Sequence, residues 1–378
     1  MSTSQPSEIK KGLEGVVVDE STVSKVMPEI NSLVYRGYTV QELSEKCSFE
    51  EVAYLLWHGE LPTTTQLVAF MQKEKSLRAL SPGLSSVIKL YPKSSHPMDT
   101  IRSSVSYMGL EEPDVWAQDR PTNLNKAMTL LARIPTAIAA DYRVRRGLQP
   151  IAPKNELSMS ENFFHMCFGE VPHKDIIRAF EVSLILYAEH GFNASTFTAR
   201  VVASSQSDMY SAITAAIGSL KGPLHGGANE QVMHVLKEIG EPQAAKAWLE
   251  KALVDKRKIM GFGHRVYKNG DSRVPTMDKY GRRLAEIKGE KRWHEIGDIL
   301  AREMLEKKNI HPNLDFPAGP AYYLMGFDID MFTPIFVMAR ITGWAAHVME
   351  QMGSNRLIRP LQKYVGQAER RVQPISGR

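Results

Sequence analysis

Apolar positions along this chain recur mostly three and four residues apart, the spacing that lines one face of a helix. Val52, Leu55 and Leu56 form such a stripe, opened by a Ser48-x-x-Glu51 box and closed by Gly59 and Pro62. A second box, Thr39-x-x-Glu42, stands just upstream. The next helix is predicted from about Thr65, with Leu67, Phe70, Met71 and Leu77 on one side. Asp99 to Tyr107 and Asn123 to Arg146 continue the pattern, and Pro135 predicts a kink in the longer of the two. Lys174 to Glu189 presents Ile177, Phe180, Leu184 and Tyr187 in the same way, and Asp330 to Met352 reads as one long helix. Only Gly15 to Val26, rich in Val, Ser and Thr, reads as strand, in a small N-terminal β-hairpin. The expected class is mainly α.

Glycine and proline break this rhythm at three places. They are Gly222-Pro223-Leu224-His225-Gly226-Gly227-Ala228-Asn229, Gly261-Phe262-Gly263-His264-Arg265, and Pro312-Asn313-Leu314-Asp315-Phe316-Pro317. Each carries an ionisable side chain on a turn, away from a helix face. A neutral imidazole donates or accepts a hydrogen bond near pH 7, and a carboxylate takes a proton from carbon once the developing charge is held elsewhere. Two histidines and one carboxylate so presented are equipment for acid–base chemistry. The same clustering suggests that Gly222 to about Gly326 packs as a separate helical unit.

Composition narrows the alternatives. At 378 residues the chain can bury a large core and hold two or three domains. Met1 to Lys11 is polar, so no secretory signal is visible, and the apolar stretch Met331 to Met349 is interrupted by Pro334, Arg340 and His347, against a membrane span. Cys47 and Cys167 form no CxxC pair, which fits a reducing, cytoplasmic compartment. The net charge of +5 is spread without an aromatic-interleaved basic tract, so nucleic acid is not the expected partner. Its densest part, Lys256-Arg257-Lys258 with Arg265, Lys268 and Arg273, surrounds the His264 loop, which favours polyanionic small molecules. Gly261-Phe262-Gly263 lacks the third glycine of a dinucleotide fingerprint and no HExxH or CxxC pattern exists, so neither a cofactor nor a metal is expected.

From about Gly12 to Gly366 these segments resemble the citrate synthase family, which includes the 2-methylcitrate synthases, in its short-chain bacterial dimeric type. The resemblance implies a two-domain all-helical fold: a large domain over 1–226, a small one over 227–326, and a return to the large one with a C-terminal arm over 327–378. It implies that the substrates are oxaloacetate and an acyl-CoA. His225 would sit at the thioester oxygen, Asp315 would be the base, and His264 would polarise the ketone. His190, in Glu189-His190-Gly191-Phe192-Asn193-Ala194-Ser195, would bind oxaloacetate, with Asn193 and Ser195 holding the loops. The family more often has Asp before this histidine and Glu after it; here Glu189 and Gly191 stand there.

Arg273, Arg340 and Arg359 fall at the family's oxaloacetate-binding positions, and the last reaches the neighbouring subunit's site, so a homodimer is implied. Planar guanidinium groups suit carboxylates because they offer paired N–H donors. Lys268 matches a family contact to CoA phosphate, and Arg265 and Lys256 are added to it on charge alone. The remaining histidines, His311 and His347 among them, read as structural. Three rivals stand beside citrate formation. One is 2-methylcitrate formation from propionyl-CoA, another a metal site built from His190, His225, His264 and Asp315, and the third a noncatalytic helical scaffold or nucleic-acid binder.

Overall fold

The computed structural model describes residues 9–267 and 269–377; the expectation for Met1 to Lys11 thus falls largely outside the described residues. Sixteen α-helices and three short strands make up the described chain. The strands are β1 (Ser24–Met27), β2 (Ser32–Tyr35) and β3 (Tyr38–Thr39), antiparallel in that order, with Ser24 opposite Tyr35 and Val34 opposite Thr39. Arg36 and Gly37, both with positive φ, make the two-residue turn between β2 and β3. This corrects the expected strand from Gly15. Gly15 itself turns at φ 73°, and Asp19 and Thr22 bond to side chains of later helices instead of a neighbouring strand.

The first helices follow β3 directly as α1 (Val40–Lys46), α2 (Phe49–His58) and α3 (Thr64–Leu77). Ser48 and Glu51 exchange both bonds of a capping box, but Glu42 bonds Lys46 at 2.7 Å, so the Thr39 cap works in one direction only. Next come α4 (Pro82–Leu90), α5 (Pro97–Leu110), α6 (Arg120–Arg145), α7 (Met159–Phe168) and α8 (Lys174–Tyr187). α6 starts three residues before the expected Asn123 because Asp119 caps it, and it runs as one helix through Pro135. Burial of Leu130, Leu131, Ile134, Ala137 and Ile138 on either side offsets the backbone bond that proline removes.

The rest of the helical body is α9 (Ala194–Ser204), α10 (Met209–Leu220) and the last helix, α16 (Phe332–Gly353). Between α10 and α16 lie α11 (Ala228–Ile239), α12 (Ala245–Val254), α13 (Val274–Lys288), α14 (Arg292–Lys308) and α15 (Asp315–Leu324). α11 and α13 pack on α15, and α12 packs on α14. Of the 22 residues of α16, 19 are buried, so this helix is apolar all round and forms the centre on which α2, α6, α8, α9 and α10 pack. Among the described residues no helix is long and apolar enough to cross a membrane.

Candidate active site

A cavity of about 1270 Å³ opens where the α8–α9 turn, the α10–α11 turn, the α12–α13 loop, the start of α15 and the middle of α16 meet. His190, His225, His264, Arg273, Asp315 and Arg340 all line it. Backbone bonds zip the His264 and Asp315 segments together. Gly263 donates to the His311 carbonyl at 2.8 Å, Asn313 donates to that of Gly261 at 2.9 Å, and the Asn313 side chain bonds the Gly263 carbonyl. His311, taken as structural, enters through its backbone. Gly261 has φ 82°, and a Cβ there would lie 2.5 Å from Val232 Cγ2, so only glycine fits.

Hydrogen bonds fix the tautomers of two histidines. The backbone N–H of Ser195 points at His225 Nε2, 3.2 Å away, with Ser195 Oγ at 2.8 Å. An N–H can only donate, so Nε2 is bare and Nδ1 carries the proton. Burial, helped by the charge of Arg340, lowers the His225 pKa to about 3, so the ring is neutral at pH 7. In His264, Nδ1 accepts from the backbone N–H groups of Val266 and Tyr267 at 3.0 and 3.2 Å, which leaves the proton on Nε2. His190 is 8% exposed, its ring centroid is 4.9 Å from that of His264, and its Nε2 has no hydrogen-bond partner among the described residues. Burial and the charges of Arg273, His264 and Arg340 hold its pKa well below the usual value.

Asp315 begins α15, where Asn313 Oδ1 accepts from its backbone N–H. Its carboxylate accepts a 2.6 Å bond from the Tyr187 hydroxyl. Burial raises the Asp315 pKa to about 6, while Tyr187 and Arg273 pull it down. The result is a carboxylate charged at neutral pH yet more basic than an exposed one. In the sequence Tyr187 reads only as part of the apolar stripe of α8, so its place beside Asp315 is not legible there.

The arginines depart in part from the expected open pairing. Asp271 clamps Arg273 through Nε at 2.9 Å and Nη2 at 2.7 Å, and also accepts from the backbone N–H of Leu314. Its Nη1 also donates to the Leu186 carbonyl at 3.4 Å, so only part of the outer edge of that guanidinium faces the cavity unpaired by Asp271. Asp271 was not singled out from the sequence, although Gly270 before it and Arg273 two residues on were signals. Arg340 donates through Nε to the Tyr187 carbonyl at 2.6 Å and lies over the Phe336 ring; burial lowers its pKa to about 10, which keeps it cationic. Arg359 is exposed on the segment after α16 and does not line the cavity of its own chain.

Around the mouth, Arg265 lines the cavity and pairs with Glu14 at 3.3 Å. Lys256 does not line it: Lys256 turns at φ 54° just after α12, and Lys258 takes the lining position. Lys268 lies outside the described residues. Asn193 caps α9 and accepts from Ser195 Oγ at 2.8 Å, and Trp344 donates to the same Oγ. The Glu189 carboxylate meets Ser24, the Gly191 N–H and His347, not the His190 ring. Among the described residues no group of three His, Cys, Asp or Glu is arranged to hold a metal ion.

The family model for the citrate synthase C-terminal domain matches residues 12–361. The chain is 58% identical over 367 residues to a 2-methylcitrate synthase of Mycobacterium tuberculosis, covering 97% of this chain and 93% of that one. It is 55% identical over 373 residues to a citrate synthase of Mycolicibacterium smegmatis, covering 98% and 99%. Among solved structures it superposes with a TM-score of 0.93 on the ternary complex of carboxymethyl coenzyme A and oxaloacetate with the citrate synthase of Thermoplasma acidophilum, at 33% identity and covering 98% of this chain and 100% of that one.

Proposed function

This chain belongs to the citrate synthase family and is an acyltransferase of that type, and from that premise we propose that it condenses acetyl-CoA with oxaloacetate and water to citrate and CoA. The observation that carries the reading is the presence, in the lining of one cavity, of a neutral His225 with its proton on Nδ1 and a buried, more basic Asp315. Asp315 takes a proton from the thioester methyl group while His225 Nδ1–H donates to the thioester oxygen, so that full enolate charge never develops. The methylene carbon then attacks the oxaloacetate ketone. His264 Nε2–H hydrogen-bonds the ketone oxygen and gives it the proton, which yields citryl-CoA. Water then cleaves the thioester to citrate and CoA thiol.

Arg340, the outer edge of Arg273 and His190 bind the oxaloacetate carboxylates and ketone, with Arg359 supplied by a second subunit of a homodimer. Arg265, Lys258 and Lys268 meet the CoA phosphates. Residues 1–226 with 327–378 act as the large domain and 227–326 as the small one, closing over oxaloacetate in a cytoplasmic enzyme. Release of CoA thiol on mixing protein, acetyl-CoA and oxaloacetate is the expected result. No release under conditions where the protein is folded would end the reading. Asp315→Asn should keep the fold and lose about 10²-fold or more in turnover, since the amide cannot take the methyl proton.

A second reading, 2-methylcitrate formation from propionyl-CoA, is favoured by the 58% identity to an enzyme of that name. One extra methyl discriminates by only about 1–3 kcal/mol in an apolar pocket, so both acyl groups are expected to react. The ratio of kcat/KM for the two thioesters on one preparation decides; a higher value for propionyl-CoA would replace the first reading by the second.

A further inference from the structure

Arg200, on α9, takes no part in the chemistry above, yet it is only 1% exposed and both of its terminal guanidinium nitrogens are paired with carboxylates. Its Nη2 bonds Asp19 at 3.0 Å, its Nη1 bonds Glu350 at 2.9 Å, and its guanidinium lies over the Phe192 ring. The other oxygen of Glu350 accepts from the backbone N–H and hydroxyl of Thr22, at 2.8 and 3.0 Å. Two points of the irregular segment before β1 are thereby tied to α9 and α16 through the buried Arg200 guanidinium and the largely buried Glu350 carboxylate, with the Asp19 carboxylate half open to water.

Upstream of this tie, residues 14–18 belong to no helix or strand. Leu13, Val16 and Val18 line the cavity, as Leu224 and Lys258 do, while Val17 is 90% exposed. A stretch that buries so little cannot hold its own place against chain entropy. Its position is set by contacts at its two sides. One is the Asp19–Arg200 pair, and the other is Glu14, which reaches Arg265 on the His264 loop.

We propose that Asp19 and Arg200 are positioning residues for the acyl-CoA half of the site: their ion pair fixes residues 12–18 as one wall of the channel in which the acyl-CoA lies. The proposal rests on the reading that this cavity takes an acyl-CoA. Asp19→Ala is the informative variant, because the Asp19 side chain is 44% exposed and Glu350 still neutralises Arg200 when it is gone.

The expected result for Asp19→Ala is an acyl-CoA KM raised about fivefold or more, with kcat and the oxaloacetate KM within about twofold of the parent. Trypsin cleavage after Lys11, followed by mass, should quicken, and Asp19→Glu should restore both readouts. An unchanged acyl-CoA KM overturns the proposal, and so does a parallel loss in kcat and oxaloacetate KM, which would mark a general structural role. Should the parent protein release no thiol, the proposed function falls, while calorimetric titration with CoA alone still tests the wall. CoA affinity equal in parent and Asp19→Ala would then overturn it.

Discussion

At the scale of single residues, the site depends on where protons rest. The Asp315 pKa is raised from 3.8 to about 6 chiefly by burial, so the base is lost as pH falls through about 6. An acid limb near that pH is expected in kcat/KM for the acyl-CoA. The Tyr187 hydroxyl pulls the pKa down by hydrogen-bonding the charged form, so Tyr187→Phe should move the limb to higher pH. A pH–rate profile that stays in place would show that the bond does not tune the base.

The same shift has a sign for stability. With the folded pKa above the unfolded one, the folded state binds the extra proton between about pH 4 and 6, and stability from this group falls as pH rises through that window. Asp315→Asn, which stays neutral, should therefore melt higher than the parent at pH 7.5. That advantage should shrink toward pH 5, as followed by thermal denaturation.

At the scale of elements, α16 and the α8–α9 turn are held in close contact by the absence of a side chain. Gly343 donates its N–H to the Ala188 carbonyl, and a Cβ at 343 would lie 2.5 Å from that oxygen and against the Glu189 carboxylate. Gly343→Ala is expected to cost about 1–3 kcal/mol by overpacking. It should also raise the oxaloacetate KM, because the displaced turn carries His190. Gly353→Ala, at the open end of the same helix, has nothing within 4 Å and serves as the comparison. Equal melting temperatures for the two variants would refute the close-contact argument.

At the scale of the whole molecule, Arg273 just before α13 and Arg340 in α16 line one cavity, and if residues 227–326 move as the small domain proposed above, a dianion held by these two arginines would draw the units together. Oxaloacetate should then bind first. Coupling of this kind is about 1–3 kcal/mol, so acyl-CoA affinity should rise roughly fivefold or more with oxaloacetate bound, and reciprocally. Calorimetric titration in both orders checks it, and equal affinities would exclude closure as the cause of ordered binding. If Arg359 serves the neighbour's site, mixing Arg359→Ala with Arg273→Ala chains should regain activity in the mixed dimers. No recovery after verified subunit exchange would count against a shared site.

The sequence by itself determined the helical class, the approximate starts of seven of the sixteen α-helices, and the glycine- and proline-rich segments that carry His225, His264 and Asp315. These features are local: a capping side chain, an apolar period and a glycine needed for one backbone angle act within a few residues. Tertiary structure alone decided the strand, because Asp19 and Thr22 find Arg200 and Glu350 and not a β partner. It decided which nitrogen of His225 is protonated, through Ser195, thirty residues away along the chain. It also decided that Tyr187 faces Asp315, that Asp271 occupies half of Arg273, and that Lys258 lines the mouth in place of Lys256. Desolvation, close approach and hydrogen-bond direction depend on which residues from distant parts of the chain meet, and no local pattern encodes that meeting.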